Sequence, residues 1–423
     1  MRILHLSQRY FPAVGGAEIE LEKISDYLVA AGHDVTVATS DALDFEYFWD
    51  PAARRVTGRT GEHNGVQIVR FPVRHLPASK LAYRAIRRLM FEISRIKPLP
   101  TALPMRLANY TPRVPELNRW IKDHPGHFDL VAGMNITYER FLADGFRLAR
   151  RLEIPFVTYP LTHLGSGERP ATDRMSQYYT MRHQVKLVKD STAVVAQTPA
   201  EKRFYEEIGV PPDKIIVGGP GVTPADVEGG DGRRFRSRLG ISDPIVLAIG
   251  VMSLDKGTVH LVQAIRRLWQ EGRKLELVLI GHPLPEFEAF LGEIPTNDRD
   301  RIRHLGPVGD AEKKDALAAA DLFTLASRAE SFGIVYLEAW LYGLAVIGAQ
   351  TWGVSDIIDH GQDGLLVPFA DVPALAQAIE FLLDHPQEAV VMGERGRQKV
   401  LKEHTWDLKC QRVLDLYQRL VMN

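Results

Sequence analysis

From one end of the chain to the other, apolar runs of strand length alternate with longer stretches of helical period, which confines it to folds built on parallel α/β sheets. Strands buried on both faces read as continuous apolar segments, and such segments occur at 2–7, 34–38, 66–71, 129–133, 156–159, 193–196 and 215–217. The pattern then restarts, with strands expected at 245–249, 275–280, 303–305, 322–325, 345–347 and 364–367. Helices are expected between them, notably at 258–270, 332–342 and 372–383. Between the two runs lies GGPGVTPADVEGGDGRR (218–234), whose Gly, Pro and Asp density marks a hinge or linker.

A chain of 423 residues has length for two or three domains, and the linker selects two. Charge divides at the same point: residues 1–218 carry 30 Lys/Arg and 24 Asp/Glu, the remainder 22 and 29. The net charge of −1, with no basic or acidic tail, argues against nucleic acid as a partner. One cysteine, Cys410, rules out an internal disulfide and any cysteine-cluster zinc site, as expected of the reducing cytoplasm. The N-terminal apolar run meets Gln8 and Arg9 before a signal-peptide core can form, and no window nears the ~18 apolar residues of a membrane span. The amphipathic stretch 405–421 has no strand after it and is expected to dock on a domain already built.

The second half carries GVMSLDKG (250–257), HLGPVGD (304–310), LASRAESFGIVYLEA (325–339) and WGVSDIIDHGQDGLLV (352–367). The first half carries YFPAVGGAE (10–18) and GHDVTV (32–37). In this order and spacing the chain resembles the family 4 retaining glycosyltransferases over nearly its whole length. The resemblance implies the GT-B fold, two Rossmann-like doubly wound parallel-sheet domains facing across a cleft. The expected parts are an acceptor-binding domain at 1–218, a nucleotide-sugar-binding domain at 219–403, and a C-terminal helix at 404–423 packing back on the first domain.

Glu330 and Glu338 are eight residues apart and match the family's E-x7-E pair, which implies that the first meets the donor sugar and the second the nucleotide ribose. A carboxylate that accepts two hydroxyl hydrogen bonds is a physical means of fixing a polyol. Ser331, Phe332 and Gly333 are expected to form the first turn of the following helix, whose unpaired N–H groups suit an oxygen-rich or anionic ligand. Lys256, with Gly257 opening the next helix, would stabilise the diphosphate as it leaves. Relatives usually carry an arginine just after the first glycine of that motif, and this chain has Val251; Arg328 is one candidate to substitute. Val308 in HLGPVGD is carried over to the donor site by the same resemblance. Gly15 and Gly16 stand where the first strand hands over to a helix, so a ligand can approach the backbone there, and the resemblance assigns both to donor binding. His163 matches a histidine near the reacting sugar. The stretches GHPLP (281–285) and WGVSD (352–356) depart from the family's usual glycine patterns.

The implied reaction moves a sugar from a nucleotide-diphosphate sugar to a hydroxyl of a glycan, lipid-linked or small-molecule acceptor, with Lys256, Glu330 and His163 at the chemistry. The diphosphate sugar is a co-substrate; no cofactor and no metal are expected, and Asp298-Arg299-Asp300 reads as a solvated turn. Two other readings stay open: a nucleotide-sugar-binding protein with weakened catalysis, and a GT-B sugar-nucleotide epimerase. GGAE is not G-x-G-x-x-G, which disfavours an oxidoreductase. Residues 79–98 (SKLAYRAIRRLMFEISRIKP) form a basic amphipathic stretch, with Leu81, Ala85, Ile86, Leu89, Met90 and Ile93 on one face and Lys80, Arg84, Arg87, Arg88 and Arg95 largely elsewhere. Such a helix is either a crossover packed on the sheet or a foot resting on the anionic inner face of a membrane.

Overall fold

In a computed structural model the first apolar run, RILHL, forms β1 (Arg2–Leu6) at the middle of an eight-stranded sheet. The structure describes residues 1–123, 127–165, 169–219, 221–328, 330 and 333–422. The remaining strands of this sheet are β2 (Asp34–Ser40), β3 (Thr60–His63), β4 (Val66–Phe71), β5 (Leu130–Met134), β6 (Phe156–Tyr159), β7 (Ala193–Ala196) and β8 (Ile215–Val217). They lie in the order β3-β4-β2-β1-β5-β6-β7-β8. All pairs are parallel except β3 with β4. β3 has no counterpart in the expected strands, because TGEH is short and carries no buried apolar side chain. Its signal is the Asn64-Gly65 turn that follows, where both residues have positive φ (49° and 81°) as a two-residue hairpin loop requires.

The chain divides into two units by its contacts: Met1–His163, Asp173–Gly219 and Lys409–Asn423 form one, Leu164–Thr172 and Pro220–Leu408 the other. The last helix, Trp406–Met422, contributes Tyr417 to the first unit's interior, where its hydroxyl lies 3.2 Å from His5 Nε2 and 2.9 Å from the Tyr159 hydroxyl. Burial holds His5 neutral, its pKa pushed down to about 3. Cys410 is buried on the same helix and donates to the Lys23 carbonyl.

The second unit holds a six-stranded parallel sheet of β9 (Ile245–Ile249), β10 (Glu276–Ile280), β11 (Ile302–Gly306), β12 (Leu322–Leu325), β13 (Ala345–Ala349) and β14 (Gly364–Val367). Its order is β11-β10-β9-β12-β13-β14. Alternate residues of β9 serve two different cores. Val246 and Ala248 pack with the Thr258–Gln270 and Val372–Asp384 helices, whereas Ile245, Leu247 and Ile249 pack with the Gly232–Leu239 and Ile334–Leu341 helices. A sheet covered on both faces is why its strands read as unbroken apolar runs.

The Ser79–Arg95 helix departs from the face expected of it. Met90 and Phe91 are buried, but Leu81, Ala85 and Leu89 are exposed. Arg87, expected among the solvated cations, instead turns inward and donates to both Glu139 carboxylate oxygens at 2.8 and 2.9 Å. Glu139 is fully buried and holds its charge against desolvation through Arg87 and His183.

Candidate active site

In the second sheet the chain runs outward one way from β9 through β10 to β11, then returns to place β12 on the other side of β9. Ligands of doubly wound sheets bind beyond the strand carboxyl ends at such a reversal. The loop after β9 carries Lys256, and the loop after β12 carries Glu330. Though 74 residues apart in sequence, they meet there: Lys256 Nζ donates to Glu330 Oε2 at 2.6 Å. The Lys256 side chain is 31% exposed and that of Glu330 16%, so the pair opens to solvent on one side.

Local backbone chemistry holds both ends of the pair. Lys256 N donates to Ser253 Oγ at 3.1 Å, and Gly257 caps the Thr258–Gln270 helix. Gly333 caps the Ile334–Leu341 helix rather than lying in its first turn as expected, because its φ of +79° is left-handed and not helical. A Cβ at Gly333 would stand 2.6 Å from the Tyr336 ring and 3.2 Å from Glu330 Cγ, so the position next to Glu330 has no room for a side chain. Tyr336 is buried, its hydroxyl donates to the Leu325 carbonyl, and burial beside Glu330 pushes its phenol pKa well above the usual range. Ser331 and Phe332, expected to offer backbone N–H groups, lie outside the described residues.

Glu338 sits one turn into the same helix and is only 9% exposed. Its Oε1 accepts from Lys313 Nζ at 2.8 Å, while its Oε2 is buried with no hydrogen-bond partner among the described residues. An orphaned carboxylate oxygen costs free energy unless something donates to it, and a ligand hydroxyl meets that need. Arg328 is held elsewhere: its N–H donates to the Asp255 carbonyl at 2.7 Å and its guanidinium lies 3.3 Å from the Asp255 carboxylate. That contact ties the two motif loops together rather than extending the Lys256–Glu330 pair. Val251 is 42% exposed in the loop after β9, and Val308 is half-buried against the core beneath it. Lys313 carries no signal in the sequence, since the recognisable string GPVGD stops three residues before it.

In the first unit, Gly15 caps the Gly16–Ala30 helix at the carboxyl edge of β1. A Cβ on Gly15 would lie 2.3 Å from Glu18 Oε2, and none would meet an obstacle at Gly16. Beneath this turn Arg9 and Glu18 form a buried ion pair at 3.0 Å, supported by Gln8 Nε2 on the same carboxylate oxygen at 3.2 Å. Arg9 also lies over the Phe45 ring, 3.6 Å from its centroid, so the glycine turn rests on a rigid base. Neither residue was singled out, although Glu18 closes the quoted glycine motif. His163 follows β6 and packs edge-on against Tyr179 with ring centroids 4.6 Å apart. Asp298 of the D-x-D string is engaged by Arg266 Nε at 2.8 Å.

Comparison with known proteins places this arrangement in a family. Residues 15–221 match the profile described as a glycosyl transferase 4-like domain, and residues 243–385 match glycosyl transferases group 1. D-inositol 3-phosphate glycosyltransferase of Kineococcus radiotolerans is 30% identical over 321 residues, 70% of this chain and 73% of that protein. A GDP-mannose-dependent monoacylated alpha-(1-6)-phosphatidylinositol monomannoside mannosyltransferase of Corynebacterium glutamicum is 29% identical over 205 residues, 46% of this chain and 52% of its own. Among solved structures, Anabaena HepE in complex with UDP and glucose shares the fold, with a TM-score of 0.70 at 19% identity over 99% of this chain and all of that one. The two profile matches, the extent of the Kineococcus relationship and the two parallel α/β sheets together show that the chain belongs to the family 4 glycosyltransferases of GT-B fold.

Proposed function

We propose that the chain is a retaining glycosyltransferase that takes a sugar from a nucleotide-diphosphate donor bound to the second unit. The observation that carries this reading is the meeting of Lys256 and Glu330 at the reversal of the second sheet, 2.6 Å apart and open to solvent. A donor entering there brings phosphate oxygens to the ammonium and sugar hydroxyls to the carboxylate, so each partner exchanges an intramolecular contact for a ligand contact. The unpartnered Oε2 of Glu338 receives a ribose hydroxyl. A relative named as GDP-mannose-dependent, and a neighbour of the same fold solved with UDP and glucose, support a nucleotide-diphosphate donor.

In the proposed step the bond from the anomeric carbon to the diphosphate oxygen breaks while the acceptor oxygen bonds to the same face. The acceptor proton passes to the departing phosphate oxygen. Lys256 balances charge growing on the diphosphate, which is the work a metal ion does elsewhere. The acceptor hydroxyl belongs to a molecule bound on the first unit. The test is donor hydrolysis across UDP-, GDP- and ADP-sugars with a chelator present, the first-formed anomer being read by NMR. The expected result is hydrolysis of at least one donor with its configuration retained. Donor binding without turnover supports the binding-protein reading, and inversion or an absolute need for Mn2+ contradicts the mechanism.

A second reading concerns the Ser79–Arg95 helix. Among the described residues no helix is long and apolar enough to cross a membrane, but this one presents Leu81 (72% exposed) and Leu89 (48%) beside exposed Arg84, Arg88 and Arg95. Apolar and cationic side chains facing solvent together suit an anionic bilayer surface, each cation contributing about 1 kcal/mol. Vesicles containing phosphatidylglycerol are expected to bind the protein and to release it as salt rises, with Leu81→Asp/Leu89→Asp weakening the association. Equal indifference to neutral and anionic vesicles contradicts it.

A further inference from the structure

On the first unit, the Ala108–Tyr110 turn, the Pro115–Asp123 helix and the Glu139–Leu152 helix border an open cavity of about 380 Å³. Its polar lining comes from Asn109, Tyr110, Arg113, Asn118, Arg119 and Arg140. Among the described residues no carboxylate lines it. Of the two acids next in sequence to lining residues, Glu116 is engaged by Arg74 at 2.6 Å and Arg59 at 3.8 Å, and Glu139 is buried against Arg87. Asp144 is fully buried and spent on Arg140 and Arg147.

Arg140 decides the character of the cavity. Its Nε donates to Asp144 Oδ2 at 2.8 Å and its Nη1 to the Asn109 side-chain oxygen. With the Asn118 carboxamide turned to face the guanidiniums, its oxygen accepts from Arg140 and, at 3.2 Å, from Arg147. Both carboxamide oxygens are therefore consumed, and what remains for a ligand is their two NH2 groups. Arg113 and Arg119 are exposed, and neither guanidinium meets a carboxylate among the described residues. The Tyr110 hydroxyl completes the set. Arginine and an amide NH2 only donate hydrogen bonds, so beside the apolar Val114 and Pro115 the polar groups of the cavity are donors and its charge is net positive.

We propose that this cavity binds a phosphorylated small molecule through its phosphate group. A doubly charged tetrahedral oxyanion takes several donors at once, and planar guanidiniums match its edges two bonds at a time. The volume lies within the range of small-ligand sites, roughly 300–1,000 Å³, so there is room for a carbon skeleton beside the phosphate. The phosphate belongs either to the sugar acceptor or to a free metabolite that acts as an effector.

Titration of the full chain with glucose 6-phosphate, and with glucose as its uncharged counterpart, tests the site calorimetrically. Glucose 6-phosphate is expected to bind and glucose not to. Arg113→Gln/Arg119→Gln, which changes only exposed side chains, weakens binding roughly tenfold or more, and Lys256→Ala leaves it unchanged. Binding that survives the double substitution, or falls with Lys256→Ala instead, locates the anion in the second unit and overturns the proposal; so does failure of the wild type to bind. With a donor present, a glycosylated glucose 6-phosphate identifies the acceptor as the source. Altered donor hydrolysis without that product identifies an effector.

Discussion

Lys256→Ala is expected to lower kcat by roughly 100- to 1,000-fold at saturating donor, the scale of one lost electrostatic donor in a transition state. Two effects add. The ammonium that in the proposed step balances charge on the leaving diphosphate is gone, and Glu330 loses the cation now 2.6 Å from its carboxylate. An uncompensated negative charge then faces a departing anion. Among the described residues, Val251 offers no charge in the loop after β9 and Arg328 is tied to Asp255 by backbone and side chain. Steady-state turnover of the substituted enzyme checks this, and near-normal kcat means that another group neutralises the diphosphate.

Glu330→Ala carries the second large effect, a fall in kcat of roughly a hundredfold or more. As the bond to phosphate lengthens, the sugar gains positive character, and a carboxylate facing it interacts more strongly in the transition state than in the ground state. Removing Glu330 also frees Lys256 from its ion pair, which strengthens the grip of the ammonium on the ground-state diphosphate. The donor KM is therefore expected to hold or fall while turnover drops, the signature of an interaction realised in the transition state.

How far the sequence shows this site depends on what each part requires. Every expected strand forms, because parallel strands covered on both faces are written as unbroken apolar runs such as IVLAI and LFTL. β3 escapes that reasoning, since TGEH at an open edge buries little and only the Asn64-Gly65 turn betrays it. Lys256 and Glu330 are visible individually in their motifs, but their contact is not. It follows from β12 pairing with β9, Leu322 opposite Val246, a matter of sheet order rather than of local pattern. Lys313 and the Arg9–Glu18 pair are hidden for the same reason, as each partner lies on a different element. The Ser79–Arg95 helix shows the reverse failure. Its periodicity is plain, but which face it buries is set by Glu139, whose buried charge draws Arg87 inward.

On the proposed reading the two glutamates hold opposite ends of one donor, and a single kinetic comparison tests it. Donor saturation curves for Glu330→Ala and Glu338→Ala, measured beside the wild type, separate uniform binding from transition-state binding. On that reading Glu338 meets a ribose whose charge does not change during reaction, so its loss is expected to raise the donor KM with kcat little altered. Glu330→Ala is expected to depress kcat without raising KM. The reverse pattern, or two substitutions without effect, contradicts the assignment of both residues.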